Sequence, residues 1–114
     1  MITTRDISAL QTAREELALR RRRNAHLGGE LFGEPAWDML LELFVALGEE
    51  RQMTVSDLCD TAGVPTSTAF RWVLTLERQG KVQRVPDPMS LDVELVTLTR
   101  SERARLTDLL RLDQ

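Results

Sequence analysis

The sequence predicts a mainly α (α+β) domain with one small antiparallel sheet, and three observations lead there. Apolar residues recur at helical spacing in the segments near 6–23, 35–48 and 66–79, the mark of helices with one face in a core. Between Thr54 and Arg78 two short periodic segments are separated by Gly63-Val64-Pro65, a tight-turn string. After Gly80 the pattern changes to short runs holding Val82 and Val85, then Val93, Leu95, Val96 and Leu98, on either side of Pro86-Asp87-Pro88. That reads as a hairpin. Helix, turn, helix and hairpin in this order make a winged helix-turn-helix with a two- to three-stranded antiparallel wing and flanking helices.

The first element spans about Asp6 to Arg23, with Thr3 or Asp6 able to cap it. Its apolar stripe is Ile7, Leu10, Ala13 and Leu17. Residues 1–26 are read as an N-terminal amphipathic helix and residues 27–114 as the winged unit. A stripe outside that unit has to pack either on its own domain or on a second chain. Ile7, Leu10 and Leu17 are therefore the candidate dimerisation residues. Residues 24–34 read as a connection containing Gly28, Gly29 and Gly33, with Leu27, Leu31 and Phe32 folding onto the core. Pro35 suits the first turn of the second helix. Trp37, Leu40, Leu41, Phe44, Val45 and Leu47 mark that helix as the core helix, ending near Gly48.

Glu49 to Met53 reads as a polar connection. Thr54 and Asp57 form a capping pair for a short third helix whose inner side is Val55, Leu58, Cys59 and Ala62. Gly63 suits a left-handed residue at its end. Pro65 opens a fourth helix over about 66–79. Its inner face is Ala69, Trp72, Val73 and Leu76, widened by Phe70 and Leu74, and Gly80 stops it. The wing spans about 86–92. A last helix starts at Thr99 with Glu102 as its capping-box partner and an apolar side of Ala104, Leu106, Leu109, Leu110 and Leu112.

The net charge is −3, which argues mildly against nucleic acid, but the charges are unevenly spread. Residues 66–85 hold Arg71, Arg78, Lys81 and Arg84 against Glu77 alone. Residues 34–65 hold seven acids against Arg51 alone and read as a solvated acidic helix face. A local basic patch steers association even when the sum is negative. The outer side of the fourth helix gathers Ser67, Thr68, Arg71, Thr75 and Arg78. Hydroxyls and guanidiniums on one exposed face suit base edges and phosphates of duplex DNA. The DNA-binding candidates are Thr66, Ser67, Thr68, Arg71, Thr75, Arg78, Lys81 and Arg84. Arg71 is the first choice for a base. Arg21, Arg22 and Arg23 belong to a basic run with two readings, a solvated helix end or phosphate contacts.

Several strings, taken in order, resemble a bacterial group of MarR-like winged-helix proteins. They are Leu31-Phe32-Gly33-Glu34-Pro35-Ala36-Trp37-Asp38-Met39-Leu40-Leu41, Val64-Pro65-Thr66-Ser67-Thr68-Ala69-Phe70-Arg71-Trp72, and Gly80-Lys81-Val82-Gln83-Arg84-Val85-Pro86-Asp87-Pro88. The resemblance covers about residues 27–110. It implies a homodimeric transcriptional regulator that binds pseudo-palindromic DNA and in some members is released by a small ligand. Members of that group usually carry bases at the wing tip, whereas Met89-Ser90-Leu91-Asp92 here holds none.

The expected function is sequence-specific double-stranded DNA binding as a homodimeric transcription regulator. The alternative is a winged helix that binds a protein, which the acidic balance and uncharged wing tip favour. An enzyme is not expected: one His and one Cys lie far apart, with no glycine-rich phosphate loop, paired His or nucleophile elbow. No metal site or cofactor is expected either, because His26 has no partner at ligand spacing and Cys59 reads as a small buried hydrophobe. No apolar run is long enough for a bilayer and no secretory signal opens the chain, so a cytoplasmic protein is expected.

Overall fold

The structure, a computed structural model, describes residues 4–27 and 35–112, with side chains described over 7–22 and 35–111. The expectations for Thr3, Arg23, Leu27, Leu31, Phe32 and Leu112 lie outside the described residues and side chains. Helix α1 (Thr4–Leu27) is followed by α2 (Pro35–Gly48), strand β1 (Met53–Thr54), α3 (Val55–Thr61), α4 (Thr66–Arg78), β2 (Val82–Asp87), β3 (Ser90–Leu98) and α5 (Arg100–Leu112). The predicted mainly helical winged helix-turn-helix is what forms.

Helix α1 is longer than its stripe suggested. The string Asn24-Ala25-His26-Leu27, expected in the connection, is helical, since it holds no Gly or Pro to stop the helix before Gly28. Ala9, Ala13 and Leu17 are buried in one core cluster with α2 and with Leu106 and Leu110 of α5. The stripe is thus covered by its own chain, and small alanines let the helices approach. This corrects Leu17 as a dimerisation residue: it is 6% exposed. Leu10 is half-buried against the same core, and Ile7 stays exposed.

Nine consecutive residues of α2, Asp38 to Ala46, are buried. Two of them are acids, which corrects their reading as a solvated face. Arg20 Nε donates to Asp38 and Arg21 Nη2 donates to Glu42 across the α1–α2 contact. A buried carboxylate is tolerable only when paired in this way. Helix α2 ends at Gly48 as expected, and the glycine has a second use. A Cβ at Gly48 would lie 2.8 Å from Leu10 Cδ1, so the glycine lets α1 cross close by. The left-handed residue after α2 is Glu50, at φ 57°, and Arg51 N donates back to Ala46 O at 2.8 Å. Arg14 and Arg51 both donate to Glu49, at 2.9 Å from Arg14 Nη2 and 2.9 Å from Arg51 Nε, and these bonds hold the Glu49 carboxyl below its usual range.

The predicted cap of α3 forms, with Thr54 Oγ1 accepting from Asp57 N at 2.9 Å. Leu58, Cys59 and Ala62 are buried as expected, and burial pushes the Cys59 thiol up. Gly63 at φ 71° and Gly80 at φ 73° take the left-handed conformation that ends α3 and α4. The part of 49–53 read as polar connection ends in a strand: Met53 pairs with Val96 and Thr54 with Leu95. The sheet order is β1-β3-β2, all antiparallel.

Pro86 does not break β2, contrary to expectation. The strand runs from Val82 opposite Leu98 to Asp87 opposite Ser90, with the register shifting between Pro86 and Asp87. Proline survives there because β2 is an edge strand and the shift supplies an irregularity. The hairpin turn is Pro88-Met89, where Asp87 Oδ1 accepts from Met89 N at 2.9 Å. In α5, Leu106 and Leu110 are buried, but Ala104 and Leu109 face outward, so its apolar side is narrower than predicted. Among the described residues no helix is long and apolar enough to cross a membrane.

Candidate nucleic-acid interface

Helix α4 is anchored by Ala69, Val73 and Leu76, all buried. This fixes which side faces outward. Thr66, Ser67, Thr68, Arg71 and Arg78 are exposed and Thr75 is half-buried, so most of the predicted binding residues share one open surface. Pro65 takes the cap position without a side-chain hydrogen bond, and the first turn contains no acid. The leading N–H groups of α4 are therefore uncapped by side chains, with the positive end of the helix dipole undiminished. An anion such as a backbone phosphate suits that end. Thr75 is engaged within the helix: its Oγ1 donates to Arg71 O at 3.0 Å and accepts from Arg78 Nη2 at 3.3 Å. It steers Arg78 more than it offers a hydroxyl of its own. Arg71 and Arg78 form no ion pair with any described residue.

The two bases of the wing are placed differently. Lys81 Nζ lies 3.4 Å from Glu102 Oε1, and the Glu102 residue is 5% exposed. The capping box that was expected at Thr99 is only half made. Glu102 N donates to Thr99 Oγ1 at 3.3 Å, but Thr99 N donates to Lys81 O at 3.0 Å. That frees the Glu102 carboxylate for the lysine. Arg84 is held on three sides. Its Nη2 donates to Glu77 at 3.0 Å, its Nη1 donates to Glu94 at 3.2 Å, and the guanidinium lies 5.8 Å from the centre of the Phe70 ring. The Arg84 bond holds the Glu77 carboxyl below the usual range, and Glu77 raises Arg84 in turn. Lys81 and Arg84 thus tie the wing to α5 and α4. The free positive charge of this surface is concentrated on Arg71 and Arg78.

Arg21 and Arg22 are exposed on α1, with Arg21 paired to Glu42 of α2. The structure brings Arg21 to the α1–α2 contact. Arg23 as a phosphate contact lies outside the described side chains. The wing tip is apolar and open: Met89 is 91% exposed and Leu91 83% exposed.

Two aromatics on α4 depart from the sequence reading. Phe70 and Trp72, expected on the inner arc, are both exposed. At 3.6 residues per turn Trp72 lies roughly 60° from Ala69 and on the far side from Val73. That angular offset was readable in the sequence, and it places the indole at the edge of the core.

The comparisons with known proteins agree with this geometry. Residues 39–86 match the family model described as the IclR helix-turn-helix domain, a span that runs from α2 into β2. The chain has the winged helix-turn-helix fold. Among solved structures, a mutant of MepR from S. aureus superposes with a TM-score of 0.60 at 17% identity, over 87% of this chain and 72% of that one. A probable transcriptional regulator from Pseudomonas aeruginosa gives 0.58 at 24% identity, over 91% and 74%. A mutant of MarR from E. coli, complexed with operator DNA, gives 0.58 at 20% identity, over 90% and 68%. The resemblance read from the sequence is therefore met by the fold. No curated protein matches the chain.

Proposed function

We propose that this chain is a sequence-specific double-stranded DNA-binding transcription regulator that acts as a homodimer in the cytoplasm and carries out no catalysis. The observation that carries this reading is the outer face of α4. It presents Ser67, Thr68, Arg71 and Arg78 beside an uncapped, acid-free helix start, and the wing is clamped next to it. The helix-turn-helix match and the DNA-bound fold neighbour support the same reading. Arg71 takes the base-reading role because it is exposed and bound to no carboxylate. A guanidinium bonds bidentately to guanine. Thr66, Ser67 and Thr68 take phosphate or base edges at the helix start, and Arg78 takes a phosphate. Ile7 and Leu19 of α1 and Leu109 of α5, all exposed, are apolar positions available to a second copy.

Arg71→Ala tests this. The variant should fold as the parent does and lose sequence preference, with about 1–3 kcal/mol less discrimination, measured by competition between selected and scrambled duplexes. Unchanged affinity and preference would show that α4 does not read DNA through this face. The second reading, a winged helix that docks a protein, is favoured by the exposed apolar tip at Met89 and Leu91. It predicts no retention of duplex DNA even at low salt.

A further inference from the structure

Trp72 is a large aromatic whose position the fold alone does not explain. It is 36% exposed, and it is neither in the core cluster nor among the half-buried side chains packed on it. Among the described residues nothing accepts a hydrogen bond from its indole N–H. Phe70 makes a useful contrast. It is about as exposed, but its ring lies under the Arg84 guanidinium, so it serves the wing clamp. Trp72 has no such employment within the chain.

Its place on α4 is informative. Arg71 and Arg78 point directly away from the buried Ala69, Val73 and Leu76. Trp72 lies roughly 100° around the helix from Arg71. It shares a row with Thr68, four residues before it, and Thr75, three after it. Phe70, Leu74 and the clamped wing occupy the opposite flank. When a helix enters a groove with its outermost residues toward the bases, its flanks meet the sugar–phosphate walls.

Resting on the DNA-binding reading above, we propose that Trp72 is a DNA-backbone contact. Its indole N–H donates to a phosphate oxygen on the groove wall away from the wing, and its ring packs on the adjoining deoxyribose. A tryptophan suits such a wall because one end is apolar and the other is a donor. The contact positions α4 and carries no base information. Since the indole is uncharged, it releases no counterion.

The test uses the full chain with a random-sequence duplex pool and the duplexes it retains. Wild type, Trp72→Phe, Trp72→Ala and Arg78→Ala are titrated at several salt concentrations, with folding checked by thermal melting. Trp72→Phe keeps a ring but loses the donor. It should bind about tenfold more weakly to every retained duplex, with the ranking of sequences and the salt slope unchanged. Arg78→Ala should instead reduce the salt slope by about 0.9 per protomer, about 1.8 for the dimer. Trp72 fluorescence, followed in the wild type against the Trp72→Phe background that reports Trp37 alone, should change on DNA addition. Unchanged affinity in both Trp72 variants, or an altered ranking of sequences, overturns the inference while leaving the DNA-binding reading intact. Failure of the wild type to retain any duplex overturns that reading, and the inference with it.

Discussion

Charged residues here divide by what they touch, and residue type alone does not reveal the division. Arg71 and Lys81 both looked like DNA ligands in the sequence. Only the structure shows that Lys81 faces the nearly buried carboxylate of Glu102 at 3.4 Å, while Arg71 faces solvent. Lys81→Met should therefore lower unfolding free energy by about 1–3 kcal/mol in urea, since it strands a buried acceptor, and leave the salt dependence of DNA binding as it was. A reduced salt slope with unchanged stability would put Lys81 back on the DNA face. The same division accounts for Asp38 and Glu42. As sequence they belong to an acidic stretch. In the fold their carboxylates pair with Arg20 and Arg21, partners that lie on another helix and cannot be inferred from local spacing.

At the scale of elements, local signals were legible where local physics decides. The Thr54 cap, the left-handed Gly63 and Gly80, Pro35 at a helix start and the buried row Ala69, Val73 and Leu76 all follow from neighbours in sequence. The reading failed where a distant element decides. Pro86 stays in its strand because β2 is an edge, and β1 exists because Met53 and Thr54 find β3. The Glu77–Arg84–Glu94 clamp is also of this kind, joining α4 to both wing strands. Its pH dependence has a definite sign. The folded Glu77 carboxyl titrates below its unfolded value of about 4.3, so the clamp contributes stability above that pH and loses it as pH falls through the folded value. Glu49 acts in the same direction. Melting temperature should drop on acidification below about pH 4, and Glu77→Gln should flatten part of that drop. An identical acid profile for Glu77→Gln would mean that the clamp adds nothing to stability.

For the whole molecule, the chain has a negative sum yet leaves bases on the outer face of α4, because the bases around that face are spent on the chain's own acids. Ion pairs absorb Arg14, Arg20, Arg21, Arg51, Lys81 and Arg84. On the proposed reading Arg71 is left to meet a base and Arg78 a phosphate, with uncharged donors at the α4 start and on its flank. Such a surface would bind DNA with a shallow salt dependence, and a dimer presenting one phosphate-bound cation per protomer should show a slope of log K against log salt of about −1.8. The most direct measurement is retention of a random duplex pool at two salt concentrations, with sequencing of what is kept. The account predicts a two-fold symmetric motif whose half-sites lie about one helical turn, ~34 Å, apart, with that shallow slope. No retention at low salt would contradict the central claim that α4 is a DNA-reading helix.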